Sequence, residues 1–397
     1  MGKICFGVDI GGTTVKMGMF TPEGTVTDKW EIVTRKEEQG KYILEDIAAS
    51  IEEKCREKNV AGEDIVGIGL GVPGPVTADG TVLKCANLGW GVFSVAEEVH
   101  RLTGIDTVKV GNDANVAALG EMWQGGGRGF RDLVMVTLGT GVGGGVILDG
   151  KILTGSKGAA GEIGHMLVNP EEQDVCGCGK KGCLEQYASA TGIVKEARRA
   201  LEASEEPSAL RGQELSARVI FDEAKAGDSM AKEIVKAFGV NLGTALAQIA
   251  QIIDPEVFVI GGGVSRAGQI IIDEVSKNYE DNVIFALKKK EFRLAELGND
   301  AGIFGCARMV LEMFQIEELE KIVGKGNIKE KESLSAHTTF RIGGPADWYV
   351  EPETQEQLVR SVQYLRQESV PYVILGNGSN LLVSDDGFSG VVLATHG

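Results

Sequence analysis

Ile4-Cys-Phe-Gly-Val-Asp9-Ile-Gly11-Gly12-Thr13-Thr14-Val-Lys16-Met-Gly-Met-Phe20 joins two apolar runs across a glycine pair. The first run ends in an acid and the second carries one charge, Lys16, so the stretch reads as two strands joined by a Gly-Gly hairpin turn. Bare amides, the Thr13 and Thr14 hydroxyls and an acid at a strand end suit a metal-bound polyphosphate. The amides would cradle phosphate oxygens while Asp9 holds Mg2+ through water. Alone, such a turn is also an ordinary hairpin. A second unit of the same kind, Leu133 to Leu138, then Gly139-Thr140-Gly141-Val-Gly-Gly-Gly145, then Val146 to Leu148, raises the phosphate reading above either motif taken separately. Two such units, one in each half, would grip a polyphosphate from both sides.

Between them, Lys41 to Lys58 repeats Ile43, Ile47, Ile51 and Cys55 at helical spacing and reads as a packing helix. Ile65 to Leu70 reads as a strand opening into the rigid turn Gly71-Val-Pro73-Gly74-Pro75. Val108 to Val110 looks like a strand end, and Gly111-Asn112-Asp113-Ala114-Asn115 leads into an apolar helix, Val116 to Trp123. Asn112 or Asp113 can cap that helix. Only one can do so, which leaves the other at a strand-to-helix junction, where α/β folds place ligands. Asp113 is therefore a candidate general base. Further on, Val257 to Ile260 ends in Gly261-Gly262-Gly263 before a helix, where a purine or ribose could lie on bare backbone.

Gly161-Glu162-Ile-Gly-His165 and Cys176-Gly-Cys178-Gly-Lys-Lys-Gly-Cys183-Leu-Glu185 gather one imidazole, three thiols and two carboxylates into twenty-five residues. Three thiols and an imidazole are the ligands a closed tetrahedral zinc site prefers. A disulfide is the competing reading; Cys176 and Cys178 are too close for easy bridging, and a third thiol would stay unpaired. Bound zinc would contribute on the order of 10 kcal/mol to local folding. Glu162 and Glu185 either buttress the metal site or, with His165, form a wall that binds a polyhydroxyl compound. Spacing does not choose between these.

At 397 residues and 43% apolar composition the chain suffices for two or three domains with a buried core. Fifty-six glycines against nine prolines point to close backbone approaches rather than disorder. A net charge of −17 argues against a nucleic-acid surface. The start shows no basic-then-apolar leader, and the run from Leu133 to Leu148 is short and glycine-rich, so neither a signal peptide nor a membrane span is expected. A cytoplasmic location follows as the expectation.

In their order, Asp9-x-Gly-Gly-Thr, Asn112-Asp113, Leu138-Gly-Thr-Gly-Val-Gly-Gly-Gly145, Gly161-Glu-x-Gly-His165, Cys176-x-Cys-x4-Cys183-x-Glu185 and Gly261-Gly-Gly resemble the ROK family of sugar kinases and repressors, most of all its bacterial ATP-dependent glucokinases. The resemblance covers roughly residues 1 to 314. It implies an α/β, actin-like ATPase (ribonuclease H-like) fold in two lobes, about residues 1–115 and 116–314, with the last helix, 300–314, packing back on the first lobe. Asp113 then matches the base that takes the proton of the sugar 6-hydroxyl. Asn112, Glu162, His165 and Glu185 match sugar contacts. Gly11, Gly12 and Thr13, with Thr14 and Lys16, match the first phosphate loop and Thr140 and Gly141 the second; His165, Cys176, Cys178 and Cys183 match the zinc ligands. ATP, Mg2+, structural Zn2+, glucose or another hexose (mannose, fructose, N-acetylmannosamine) and a homodimer or homotetramer follow from the same resemblance. A sugar-sensing repressor is the other class of reading; those relatives carry a DNA-binding module ahead of the kinase-like part, and Asp9 stands too near the start to leave room for one.

Past Phe314 the sequence changes character. His337-Thr-Thr-Phe-Arg341-Ile-Gly-Gly344-Pro-Ala-Asp347 and Ile374-Leu-Gly376-Asn377-Gly378-Ser379-Asn380-Leu-Leu-Val383 resemble the amino-terminal part of UDP-N-acetylenolpyruvoylglucosamine reductase (MurB), with Gly376 to Asn380 matching its flavin-phosphate loop. Residues 315–397 thus read as a partial α+β flavin-binding domain. The match stops at Gly397, short of the substrate domain, so the resemblance implies neither reductase activity nor a complete FAD site. A fusion or read-through of neighbouring genes is the expectation.

Overall fold

The computed structural model describes residues 3–395 apart from Ala78, Ala86, Glu368, Ser369, Asn380 and Asp386. Its opening apolar run forms the middle strand of a five-stranded sheet. Strands β1 (Ile4–Ile10), β2 (Thr14–Phe20) and β3 (Val26–Val33) make an antiparallel meander, after which α1 (Glu37–Gly40) and α2 (Ile43–Lys58) lead into β4 (Ile65–Val72). A ribbon of β5 (Thr81–Val82) and β6 (Phe93–Ser94) precedes α3 (Val95–Thr103) and β7 (Val108–Asn112). The sheet order is β3-β2-β1-β4-β7, with β4 and β7 parallel to β1. Every β1 residue is buried except Asp9, which is half-buried. A strand covered on both faces reads as a continuous apolar run, and its one interruption marks a site.

Helix α4 (Asp113–Gln124) leads to a second sheet built the same way. Strands β8 (Leu133–Leu138), β9 (Val142–Leu148) and β10 (Lys151–Ile152) form its meander. Then come α5 (Glu185–Ala188), α6 (Ala190–Ala203), α7 (Ala217–Ala226), the long apolar α8 (Ser229–Ile253), β11 (Val257–Gly261), α9 (Gln269–Asn282), β12 (Glu291–Leu294) and α10 (Ala301–Val323). The order β10-β9-β8-β11-β12 repeats the first sheet, a meander followed by two parallel strands. Val136, Phe221, Phe238, Leu242, Phe258 and Ile260 are among the residues of its main core.

The structure redraws the second glycine run. Only Gly139, Thr140 and Gly141 form the turn, because Leu138 already pairs with Val142 and β9 begins there rather than at Val146. Gly145 lies within the strand so that α4 can approach: a Cβ would stand 2.6 Å from the Ala114 carbonyl oxygen and from the Ala118 methyl. The first turn likewise spans Gly11 to Thr14, with Gly11 N–H donating to the Thr14 carbonyl at 3.0 Å, and is longer than a two-residue hairpin.

The start of α10 lies on the first sheet. A side chain at Gly7 would collide with the Ile303 carbonyl, one at Gly69 with the Cys306 carbonyl and one at Gly120 of α4 with the Ala301 carbonyl. The chain separates into two compact units, one of Val26–Arg308 with the segment up to Phe20, the other of Thr21–Thr25 and Met309–Gly397. Their division falls between Arg308 and Met309, inside helix α10, whose Leu319 and Val323 belong to the second core.

In the second unit β13 (Ile328–Glu330), β14 (Ala346–Val350), α11 (Gln355–Gln367), β15 (Tyr372–Leu375) and β16 (Phe388–Ala394) form a sheet of order β13-β14-β16-β15. Val391 and Leu393 join one small core and Val392 and Ala394 another, as alternation along a strand with two covered faces requires. Strands β13 and β15 are its edges. Among the described residues no helix is long and apolar enough to cross a membrane.

Candidate active site

Asn112 is the cap, and Asp113 is freed. The Asn112 side-chain oxygen accepts the N–H groups of Ala114 (3.0 Å) and Asn115 (3.2 Å). Its Nδ2 donates to Asp113 Oδ1 at 3.0 Å and to the Gly74 carbonyl at 3.1 Å, so the rigid turn after β4 is tied into the junction. Asp113 opens α4, with Oδ1 also accepting the Ala114 N–H at 2.8 Å. Burial raises its pKa above the usual carboxylate range and the Glu162 charge adds to this, against the pull of the Ala114 amide and Asn112. A carboxylate whose environment favours the protonated form is suited to accept a proton.

Asp9 faces the same region. Burial, reinforced by the charge of Asp113, pushes it up to about 6, while Lys16 works in the opposite direction. Lys16 is its partner across the β1–β2 ladder and donates from Nζ to the Asn299 carbonyl at 3.0 Å. Room for the Asp9 carboxylate comes from Gly302, where a Cβ would stand 2.5 Å from its Cγ and Oδ2. Only the fold brings Gly302 to Asp9. Thr13 is exposed and Thr14 half-buried, and the loop is fastened by Thr34, whose hydroxyl donates to the Gly11 carbonyl at 2.8 Å.

The second loop lies at the carboxyl ends of β8 and β11, beside the third glycine run. Gly262 adopts φ +86° and packs on Leu138, where a Cβ would stand 2.5 Å from the carbonyl oxygen. The space around Gly263 is open. Thr140 is exposed, its carbonyl accepting the Thr191 hydroxyl at 2.8 Å. Loops 139–141 and 261–263 thus lie together at the carboxyl ends of the neighbouring parallel strands β8 and β11.

His165, Cys176, Cys178 and Cys183 offer ligand atoms that all lie within 4.8 Å of one another. All the cysteines are free. Three thiols and one imidazole so placed fit zinc. His165 turns Nδ1 toward Cys176 Sγ (3.9 Å), which leaves Nε2 for another partner. Burial raises the Cys176 thiol and pushes Cys183 up to about 12, whereas the Lys180 amide lowers Cys178. The knuckle is braced by Glu172, which is buried, accepts the Tyr187 hydroxyl at 2.5 Å and takes both terminal nitrogens of Arg199 (2.9 and 2.8 Å). That guanidinium holds the Glu172 carboxyl well below the usual range. Glu162 is exposed and precedes the turn Ile163–His165, anchored by buried Ile163. Glu185 is placed differently: Oε1 accepts the Cys176 thiol at 3.7 Å, while Oε2 accepts the Val142 N–H at 3.0 Å beside the second loop.

In the second unit, Thr339 donates from its N–H (3.1 Å) and its hydroxyl (3.1 Å) to the Gly378 carbonyl, and the hydroxyl also reaches the Ser379 carbonyl at 3.0 Å. Gly376 and Asn377 are exposed; Asn380 lies outside the described residues. A Cβ at Gly378 would collide with the His337 carbonyl, so the inner side of this loop is occupied by packing.

The family model described as ROK family matches residues 5–313. The chain belongs to the ROK family. Among ROK relatives, the glucokinase of Halalkalibacterium halodurans is 41% identical over 333 residues, 82% of this chain and 98% of that protein. The glucokinase of Thermotoga maritima is 36% identical over 77% of this chain and 96% of its own length. Among solved structures, the ROK glucokinase of Streptomyces griseus in complex with glucose and AMPPNP is 33% identical, with a TM-score of 0.62 over 77% of this chain and 98% of that one. The actin-like ATPase architecture expected of a ROK kinase is the one formed by the two sheets. A model described as FAD binding domain matches residues 346–397, in line with the second unit's resemblance.

Proposed function

We propose that the chain is an ATP-dependent glucokinase, moving the γ-phosphoryl group of ATP to the 6-hydroxyl of glucose. The observation that carries this reading is Asp113: half-buried, raised in pKa, held by Asn112 and set within electrostatic reach of Asp9 and Glu162. Asn112, Glu162, His165 Nε2 and Glu185 are proposed to orient the sugar. Asp113 takes the proton as the hydroxyl oxygen bonds to phosphorus and the bond to ADP breaks. Phosphoryl transfer asks the protein mainly for positioning and charge stabilisation. Gly11, Gly12, Thr13 and Thr14 on one side and Thr140 and Gly141 on the other supply amides and hydroxyls for phosphate oxygens, and Gly261–Gly263 leaves backbone for the nucleoside.

Mg2+, when bound with ATP, neutralises phosphate charge; the carboxylate of Asp9, admitted by Gly302, fits that role through water. Zinc, when bound by His165, Cys176, Cys178 and Cys183, fixes the knuckle that carries Glu185. We assign lobes to residues 1–115 and 116–314, and a homodimer or homotetramer to the protein, on the resemblance.

Coupled ATP-to-ADP turnover of the full chain on glucose, mannose, fructose and N-acetylmannosamine tests the reading. Turnover highest in kcat/KM on glucose supports it. Preference for another hexose changes the substrate, and no turnover on any sugar by zinc-loaded protein overturns the kinase assignment.

A further inference from the structure

We propose that Glu185 is a positioning residue for the nucleotide, the strut through which the metal knuckle sets the second phosphate loop. This goes beyond the sugar contact proposed above and rests on reading Gly139–Gly141 as a phosphate loop.

Two carbonyls of that loop and the amide of the residue that follows it are held by one short segment after Cys183. Glu185 Oε2 accepts the Val142 N–H at 3.0 Å, the Ala190 N–H donates to the Gly139 carbonyl at 2.8 Å, and the Thr191 hydroxyl donates to the Thr140 carbonyl at 2.8 Å. Within the turn itself the described hydrogen bond is Gly139 N–H to the Gly141 carbonyl, at 3.0 Å. Gly141 is needed for this arrangement, since any Cβ there would overlap Glu185 Oε2. A glycine chosen only for phosphate approach would not have to clear a carboxylate.

The other end of the strut is the knuckle. Glu185 follows Cys183 by two residues; its Oε1 also accepts the Cys176 thiol at 3.7 Å, a bond that ends when Cys176 becomes a thiolate ligand. Leu184 between them donates its N–H to the Met166 carbonyl at 2.8 Å, and the Cys183 N–H donates to Gln186 Oε1 at 3.1 Å. Holding Cys183 in the metal cluster therefore fixes, through the backbone at Leu184, where the carboxylate stands, and the carboxylate fixes the Val142 amide. Loss of the metal would release the phosphate loop without touching any residue of it.

The test is hydrogen exchange of the peptide containing Val142 in the zinc-loaded full chain, free of sugar and nucleotide, beside the affinity for an ATP analogue. Wild type and Glu185→Gln, which keeps an acceptor oxygen, should protect Val142. Glu185→Ala and chelator-treated wild type should exchange about ten-fold faster there, with weaker analogue binding and an unchanged β1 peptide. Thr191→Val, away from the cluster, should loosen the same peptide while zinc content stays at wild-type level. In turnover, Glu185→Ala should raise KM for ATP and Glu185→Gln should restore it, a split that loss of sugar contact alone does not give. Unchanged Val142 exchange in Glu185→Ala or after chelation overturns the strut, as does faster exchange with unaltered analogue affinity. Wild type that binds no ATP analogue overturns the kinase reading and the nucleotide role with it, while the exchange pattern still reports the mechanical link.

Discussion

Asn112 caps α4 with its oxygen and restrains Asp113 with its nitrogen, which donates to Asp113 Oδ1 at 3.0 Å. One side chain thus starts the helix and orients the proposed base. Asn112→Ala should cost about 1 kcal/mol of stability for the lost cap and lower kcat by roughly ten-fold or more through a misplaced base. Asn112→Asp keeps the capping oxygen but sets a second carboxylate beside Asp113, and like charges drive a carboxyl pKa upward. Its melting temperature should fall, because a carboxylate oxygen then faces the Gly74 carbonyl that Nδ2 held, while the acid limb of kcat/KM moves to higher pH. An unmoved limb in Asn112→Asp would count against the Asn112–Asp113 coupling.

Asp9 carries a pH dependence of definite sign. Its value of about 6 stands above the ordinary 3.8. The folded chain therefore keeps a proton that the unfolded chain releases, and this group costs stability as pH rises from about 4 to about 6. Mg2+ binding runs the other way, because the ionised form is the ligand, so affinity should grow through the same window. Since the Asp113 charge contributes to the shift, Asp113→Asn should move the Mg2+ midpoint to lower pH. Titration of Mg2+ binding against pH in the two proteins checks this; coincident curves would break the proposed proximity effect.

Glu121 is fully buried on α4 and accepts three backbone N–H groups, those of Gly126 (2.8 Å), Glu296 (3.0 Å) and Leu297 (2.9 Å). It fastens the helix of Asp113 to the segment leading into α10, where Gly302 admits Asp9. Glu121→Ala leaves those donors without an acceptor, at about 1–3 kcal/mol each before relaxation. A fall of several kcal/mol in denaturant unfolding is expected, with Glu121→Gln in between because it keeps one acceptor oxygen.

The thiols predict how zinc binds. Cys176 and Cys183 are held protonated by burial, Cys183 up to about 12, and must lose their protons to become ligands. Zinc binding at neutral pH should release more than one proton, and affinity should rise steeply with pH. Calorimetry in buffers of different ionisation enthalpy measures the release; pH-independent affinity would speak against a thiolate site.

Much of the first unit was legible because its chemistry interrupts otherwise simple patterns. Asp9 stands out as the break in a buried strand, and the thiols announce a cluster through spacing alone. Gly143 to Gly145 misled for a physical reason: glycine marks a turn and a close helix approach alike, and only the approach of α4 and of the Gly161–Ile163 segment distinguishes them. The cap was ambiguous between Asn112 and Asp113 because both residue types cap well, and the choice lies in a geometry that includes Gly74. Gly302 and Glu121 were invisible, since Asp9 on the one hand and Glu296 and Leu297 on the other are far from them in sequence. The boundary placed at Phe314 followed the change in composition, and the helix runs through it to Val323 because its later turns carry apolar residues of the second core, Leu319 and Val323.

Ile303 and Cys306, which meet the first sheet at Gly7 and Gly69, precede Phe314. A chain ended at Phe314 should therefore keep glucose-dependent turnover within about two-fold of the full-length protein, a change worth less than about 0.5 kcal/mol. Full loss of turnover with zinc retained would show that the second unit matters to the first.

The most direct measurement is glucose affinity and turnover side by side in wild type and Asp113→Asn. The account predicts glucose binding within a few-fold of wild type and turnover lower by about 10²–10⁴-fold, the range of a lost general base. Near-normal turnover in Asp113→Asn would contradict it.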